Sequence, residues 1–339
     1  MHNPQVNSKG VALAIGATLL VALFLLALTN DSPLQAMGYF FSGPFQNTYA
    51  FGNFINSIFL LSLTGLGISV AFKGGLFNIG GEGQVYAGAL SAALLASALD
   101  KWPGFLGIPL VLLAAVIAGA IIGGLSGILK SLWQIDEMIS SFLISAMLVP
   151  LLDYLIGIPF RNPSGYLIGT PAIPEQFRLW KVLGASNLNG GFFLILFLLA
   201  GGWFFFRKTI YGYELRMLGA NRKFAYYGGI RVGRYSALAM AASGGLHALA
   251  GGLMVAGSKY AAVQGMTSGL GWNGIAVALI AGSNPLYLLP AAAIFAFIEA
   301  GTKSVMTYSN FNFEFTAIIQ ATVFFLVTAS KIGGLRRKK

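Results

Sequence analysis

Apolar residues along this chain gather into ten blocks separated by short polar stretches. Each block reads as a membrane-crossing helix, which needs about 20 mostly apolar residues. The blocks are Val11–Leu28, Phe51–Phe72, Gln84–Leu99, Phe105–Leu129, Met138–Ile158, Phe192–Phe206, Ser236–Ala256, Ser268–Ser283, Leu286–Thr302 and Phe315–Ala329. The eighth is short and nearly merges with the ninth through Ser283-Asn284-Pro285. If these two were one helix, the total would be odd and the basic C-terminus would lie outside.

Charge separates the two counts. With ten spans and both ends inside, the cytoplasmic face receives Lys9, Lys73, Lys130, the seven basic residues from Arg207 to Arg234, and Lys331, Arg336, Arg337, Lys338 and Lys339. The outer face keeps Lys101, Arg161, Arg178, Lys181, Lys259 and Lys303. Lys and Arg concentrate on the cytoplasmic side of membrane proteins, so fifteen against six favours ten spans. Pro285 then opens a cytoplasmic turn, as its missing amide hydrogen allows. Val11–Leu28 has no small-residue cleavage site after it and reads as a retained first helix in place of a removed export signal.

Composition agrees with this picture. The chain has 339 residues, of which 56% are hydrophobic and 9% charged, whereas soluble domains are about a quarter charged. The expectation is an all-α polytopic membrane protein with a single transmembrane domain over residues 1–339 and about ten helices. The absence of cysteine excludes disulfides, thiolate zinc sites and a cysteine nucleophile. His2 and His247 are too few for a histidine metal cluster. The net charge of +11 reads as cytoplasmic anchors on anionic lipid and not as a nucleic-acid surface.

Two connections stand out. The segment 207–234, RKTIYGYELRMLGANRKFAYYGGIRVGR, sets Arg207, Lys208, Arg216, Arg222, Lys223, Arg231 and Arg234 against Glu214 alone, which suits a cytoplasmic docking loop. The external loop 160–191 follows Pro159 and contains Pro163, Pro171 and Pro174 with little hydrophobic period, so an irregular cover over the outer mouth is expected. Within the spans, Gly119-Ala120, Gly123-Gly124 and Gly127 in the fourth, and Gly244-Gly245 and Gly251-Gly252 in the seventh, allow close helix packing.

The candidate chemistry is polar but mostly uncharged. Asn78, Glu82 and Gln84 lie in KGGLFNIGGEGQVYAG, where five glycines between Gly74 and Gly83 disfavour a continuous helix. Such a break in a membrane must have its backbone groups satisfied by protein or by a water-filled cavity. It serves either as a gate or solute contact or as a plain cytoplasmic turn. Gly75–Gly80 is echoed by Gly269–Gly274, which contains Asn273, on the opposite side of the membrane; inverted repeats produce that relation. Asn53 and Asn56, continued by Ser57 and Thr64, form a stripe on the second span that can bond a solute or another helix. His247 in the seventh span and Gln320 in the tenth suit hydrogen-bonded structural roles. Asp153 and Glu299 fall near external ends, and Glu299 can pair with Lys303 four residues on. No relay of carboxylates crosses the bilayer, and no G-x-x-x-x-G-K-[ST] phosphate loop occurs. The chain is therefore not expected to be an enzyme, and as a transporter it needs an engine elsewhere. Read from these residues alone, a self-sufficient secondary carrier or channel remains the other class.

Three blocks carry a family resemblance. AFKGGLFNIGGEGQVYAGA (Ala71–Ala89) closely resembles the segment that marks permease subunits of bacterial ATP-binding cassette importers for nucleosides, within the ribose and branched-chain amino-acid permease family. ELRMLGANRKFAYYGGI (Glu214–Ile230) resembles that family's cytoplasmic coupling segment, and Gly269–Gly301 its third shared block. The resemblance implies a type II importer fold in the bacterial cytoplasmic membrane. It also implies a cassette ATPase partner using ATP and Mg, a second and different permease subunit, and an extracellular solute-binding lipoprotein. It assigns ATPase coupling to Gly219, Ala220, Asn221, Arg222, Ala225, Tyr226, Tyr227 and Gly228, with Gly219-Ala220-Asn221 opening a short helix that Gly228-Gly229 ends. Asn53, Asn56, Asn78, Glu82, Gln84 and Asn273 are the expected path residues, for a neutral solute: a nucleoside, or alternatively a ribose-like sugar.

Overall fold

A computed structural model describes residues 32–308, together with residues 16–17, 19–24, 26–27, 318, 321–322 and 325–326. The expected first span is therefore described only in part and the tenth lies largely outside the described residues, as do Gln320 and the terminal basic cluster. The described chain is helical: α1 (Pro33–Ser42), α2 (Thr48–Lys73), α3 (Gly81–Ala98), α4 (Gly104–Trp133), α5 (Glu137–Gly157), α6 (Gly191–Lys208), α7 (Ile210–Ala220), α8 (Arg222–Tyr227), α9 (Val232–Met254), α10 (Leu270–Ile280) and α11 (Leu288–Tyr308). A π turn, Val255–Lys259, prolongs α9, and a 3-10 turn, Pro285–Tyr287, leads into α11. Among the described residues, six helices are long and apolar enough to cross a membrane: α2, α4, α5, α6, α9 with its π turn, and α11 with its 3-10 turn.

Three elements depart from expectation, the first being α3, which covers the expected third span yet is not among the six. The eighth block was expected to cross, yet α10 has 11 residues, about 16 Å at 1.5 Å per residue, roughly half of a hydrocarbon core of about 30 Å. The residues before it, from Tyr260 to Gly269, are irregular because Tyr260, Gly265, Ser268 and Gly269 adopt left-handed backbone conformations. In addition, the stretch before α2 forms helix α1, whose Phe40 is buried against Gly301 of α11. The break between the eighth and ninth blocks is real: Gly282 and Ser283 are left-handed, and Asn284 Oδ1 accepts from Leu286 N at 3.3 Å.

The bundle is built around α9. A Cβ added to Gly244 would lie 2.1 Å from the Gly119 carbonyl oxygen, and one on Gly123 would lie 2.4 Å from that of Met240, so α4 and α9 touch backbone to backbone. On the other side of α9, a Cβ on Gly251 would meet the Val85 oxygen at 1.9 Å and one on Gly88 the Ala248 oxygen at 2.1 Å. Because lipid tails are as apolar as leucine, such close contacts, and not escape from water, hold membrane helices together. The most apolar window of α9 is 78% buried, against 22% for α6. On α4, Leu113, Ile117, Ile121 and Leu125 recur every four residues and are exposed, which gives that helix a lipid-facing stripe.

The contacts also fix directions. Gly81 packs on His247, and Gly251 on Val85 and Ala89, so α3 and α9 run parallel. Thr64 faces Gly274, and Ile68 clusters with Ile275 and Ala278, so α2 and α10 run parallel. Gly67 packs on Ser243 and His247, while Asn56, near the start of α2, bonds Asn189, which packs on Gly257 at the end of α9; α2 and α9 are antiparallel. It follows that α3 and α10 point in opposite senses.

Candidate functional site at a junction of two helix starts

The glycine-rich stretch leaves α2 at Lys73 and reaches α3 at Gly81 without helical bonding. Most of its amides are nonetheless paired, as burial in a membrane demands. Leu76 N donates to Ala71 O at 3.0 Å and Gly80 N to Asn78 Oδ1 at 3.0 Å. The remaining partners come from α5: Phe77 N donates to Glu137 Oε1 at 3.4 Å, Ile79 N to Ser141 Oγ at 3.1 Å, and Gly83 N to Ser145 Oγ at 2.8 Å. Glu137, Ser141 and Ser145 are spaced by four residues and so share one helix face. Two turns further along the same face, Asp153 Oδ1 accepts from Tyr86 OH at 2.5 Å. Lys130 pairs with Glu137 at 2.9 Å. Sequence reading passed over Ser141 and Ser145; the available signal was their spacing of four in register with Glu137 and Asp153 on an otherwise apolar helix.

Asn78 and Gln84 are each 1% exposed and close a small network. Asn78 Nδ2 donates to Gln84 Oε1 at 2.8 Å and to Ser243 Oγ on α9 at 2.9 Å, and Gln84 Nε2 returns to Asn78 Oδ1 at 3.1 Å. Next to it, His247 Nδ1 lies 2.7 Å from Ser243 O. A carbonyl only accepts, so Nδ1 donates, and the Nε2 edge of the ring packs against Gly81. His247 lies about 22 Å along α9 at 1.5 Å per residue, close to half of the stretch from Val232 to Lys259. The start of α3 is thus level with the middle of α9.

The start of α10 meets it there. A Cβ on Gly271 would fall 2.3 Å from Glu82 N, so only glycine allows the approach. Glu82, in the first turn of α3, accepts from Gly269 N through Oε1 and from Gly271 N through Oε2, both at 2.9 Å. One carboxylate therefore serves two free amides of another helix's start, and lies at the positive ends of both helix dipoles. Asn273 stands one turn further along α10, partly exposed, beside Trp272, whose ring meets that of Phe142 edge-on at 6.1 Å.

The path residues expected from sequence fall into two groups. Asn78, Glu82, Gln84 and Asn273 gather at the junction. Asn53 and Asn56 do not: Asn53 Oδ1 accepts from Asn187 N at 2.9 Å and Asn56 Oδ1 from Asn189 Nδ2 at 3.4 Å, which ties the 160–191 loop to the start of α2. That loop is well anchored. Ile173 N donates to Tyr260 O at 2.7 Å, Thr170 N to Ala262 O at 2.9 Å, and Phe177 is fully buried against Gly107.

The basic island runs from the end of α6 through α7 and α8 to the start of α9. Asn221 Oδ1 accepts from Phe224 N at 3.0 Å and so caps α8, and Gly229, at φ 82°, follows its end. Gly219 and Ala220 close α7 instead of opening α8. Ala225 is buried, while Phe224, Tyr226 and Tyr227 are exposed. Gly219 presses on the glycine-rich stretch: its Cβ would meet Lys73 O at 2.3 Å and Gly75 N at 2.8 Å.

Comparison with known proteins completes the site. The chain is 31% identical over 301 residues to the guanosine ABC transporter permease protein NupP of Bacillus subtilis, covering 87% of this chain and 86% of that one. It is 31% identical over 328 residues to the "Probable riboflavin import permease protein RfuC" of Treponema pallidum, covering 96% and 86%. It is 28% identical over 325 residues to the nucleoside ABC transporter permease protein NupB of Lactococcus lactis, covering 93% and 88%. A family profile described as "Branched-chain amino acid transport system / permease component" matches residues 50–328. The chain belongs to this family of ABC transporter permease components.

Proposed function

We propose that this chain is one of two permease subunits of an importer in the bacterial cytoplasmic membrane, that its cargo is a nucleoside, and that transport runs by alternating access. The observation that carries the reading is the junction of α3 and α10. Two helix starts meet level with the middle of α9, run apart in opposite senses, and are each entered by an irregular segment from a different side. Inverted repeats with broken helices have this geometry, and their solutes bind near it. With the first and tenth spans added, the single domain would hold ten helices and keep both termini in the cytoplasm.

In this reading the cargo passes on the open side of the junction, along Asn273 and Trp272, where Glu82 holds the two helix starts together. Asn78 and Gln84 shape that wall from behind, while Asn53 and Asn56 secure the outer mouth. The described spans carry Lys and Arg toward their ends, as at Lys73, Lys130, Arg207 and Lys208, which suits a neutral solute. Guanosine and riboflavin, named in two relatives, are both flat nitrogen heterocycles bearing a hydroxylated sugar-derived group; amides and aromatic rings together suit that class better than they suit a bare sugar. The engine is a partner ATPase using ATP and Mg, docked on α8 with its exposed Phe224, Tyr226 and Tyr227, and a solute-binding lipoprotein delivers cargo to the 160–191 loop.

Reconstitution tests the reading. Liposomes holding this chain with its second permease, ATPase and binding protein should concentrate adenosine or guanosine when ATP is supplied, and ribose poorly. The chain alone should give no flux; concentrative uptake by it alone would make it a secondary carrier and end the proposal.

A further inference from the structure

One carboxylate joins the two irregular segments that enter the bundle from opposite faces. At the basic-island end, α8 follows α7 directly, and Gly219 of α7 is wedged on Lys73 and Gly75. From Gly75 the chain climbs to Gly81, braced on α5 and α9 by Ile79, Asn78 and Gly83. At the other end, the 160–191 loop grips the stretch Tyr260–Gly269: Thr170 N donates to Ala262 O at 2.9 Å, Ala262 N to Thr170 Oγ1 at 3.1 Å, and Gln264 N to Ile168 O at 2.9 Å. The bottom of that stretch, Gly269 and Gly271, is held by Glu82. Side contacts exist higher up, where Gly265 N donates to Tyr86 OH at 3.3 Å, but at the level of the helix starts the polar connection is the Glu82 carboxylate.

We propose that Glu82 is a positioning residue for transport: its carboxylate couples the start of α3, and through it the ATPase-facing helices, to the start of α10 and the outer loop. The inference rests on the importer reading above. It assigns Glu82 to holding the protein together across the junction, with both carboxylate oxygens engaged, and not to binding cargo. Carboxylate chemistry is required because both partners are backbone N–H donors. A glutamine offers one acceptor oxygen and turns its NH2 toward the other donor. An aspartate is shorter by one methylene and cannot reach both amides from the same backbone position. The charge matters in addition, since two helix dipoles converge on it.

The experiment uses the complete reconstituted importer and reads the ratio of ATP hydrolysis with loaded binding protein to hydrolysis without it, beside uptake of guanosine. The wild-type complex must show both; if it shows neither, the importer reading fails and Glu82 is not at issue. Given a working wild type, Glu82→Gln should lower uptake and collapse the stimulation ratio, each by about ten-fold, the size expected for losing a charge-assisted hydrogen bond. Glu82→Ala should do the same, and added formate, which restores a carboxylate in the emptied space, should recover the ratio several-fold while acetamide does not. A residue with a merely structural role gives no such formate-dependent recovery. Wild-type stimulation in Glu82→Gln, or an Ala variant indifferent to formate, overturns the proposal. If both variants fail to assemble, Thr170→Val takes their place: it cuts the same chain of contacts at the outer loop and should lower the stimulation ratio about three-fold, a neutral hydrogen bond's worth. An unchanged ratio in that variant overturns the proposal equally.

Discussion

Two irregular segments enter the bundle, and they are built on different terms. The stretch from Gly74 to Gly80 is locked by side chains from two helices and has one left-handed residue, Gly75. The stretch from Tyr260 to Gly269 has four, two of them not glycine: Tyr260 at φ 58° and Ser268 at φ 48°. Its bonds run mostly to the backbone of a surface loop and to a single glutamate. The first is a fixed post; the second stores strain, which costs an L-residue roughly 1–2 kcal/mol per left-handed position. Under the alternating access proposed above, the contrast assigns the moving part to the second segment.

The sharpest way to break the comparison is to unlock the post. Asn78→Leu removes a buried amide that Gln84, Ser243 and Gly80 all use. Each buried group left unpaired costs about 1–3 kcal/mol, so the variant should lose about 3 kcal/mol or more and unfold at a clearly lower temperature in detergent. A midpoint equal to wild type would show that the segment is not held in this way. Next in size is the seam between the two segments. Gly271→Ala places a Cβ 2.3 Å from Glu82 N and the Gly81 carbonyl carbon, and such overpacking costs about 2 kcal/mol. Thermal unfolding should show the loss, with guanosine uptake falling further than stability does because the Glu82 contacts shift as well.

How much of this could be read in the sequence differs between the same two segments. The first was visible because glycines, amides and a carboxylate crowd into ten residues between apolar blocks, and helix propensity fails there on local grounds. The cap at Asn221 was visible for a similar reason, as a side-chain rule with a range of three residues. The shortness of the eighth block was visible, but not where α10 begins: the left-handed run that delays its start includes Tyr260, a residue that carries no turn signal. Nor could the α5 face be found from propensity, because its serines do their work for a segment 62 residues away. The convergence of Glu82 on Gly269 and Gly271, 187 and 189 residues distant, is likewise tertiary; the echo between the two glycine motifs hinted at it without giving the contact.

A milder cut separates brace from post. Ser145→Ala leaves Gly83 N without its 2.8 Å partner, and an unpaired buried amide of this kind costs about 1.5 kcal/mol. The loss should appear as a lower unfolding temperature, and Ser145→Thr, which restores a hydroxyl, should recover part of it. Recovery with Thr but not with Val, which matches it in shape, distinguishes the hydrogen bond from packing.

The smallest expected effect has the opposite sign and bears most directly on the moving segment. Ser268 adopts φ 48° and is exposed, with its neighbour Gly269 at φ 79°. Glycine takes this conformation without the Cβ penalty but loses more chain entropy on folding, so Ser268→Gly should gain only about 0.5 kcal/mol. Gly75→Ala in the post should lose stability instead, because φ there is 68° and the added Cβ meets the Gly219 Cα at 3.0 Å. If the strain at Ser268 belongs to the transport cycle, relieving it makes the protein more stable and slower at once: the unfolding temperature of Ser268→Gly rises while guanosine uptake falls. A variant that is both more stable and as fast as wild type would mean that the left-handed run is only a way of turning the chain.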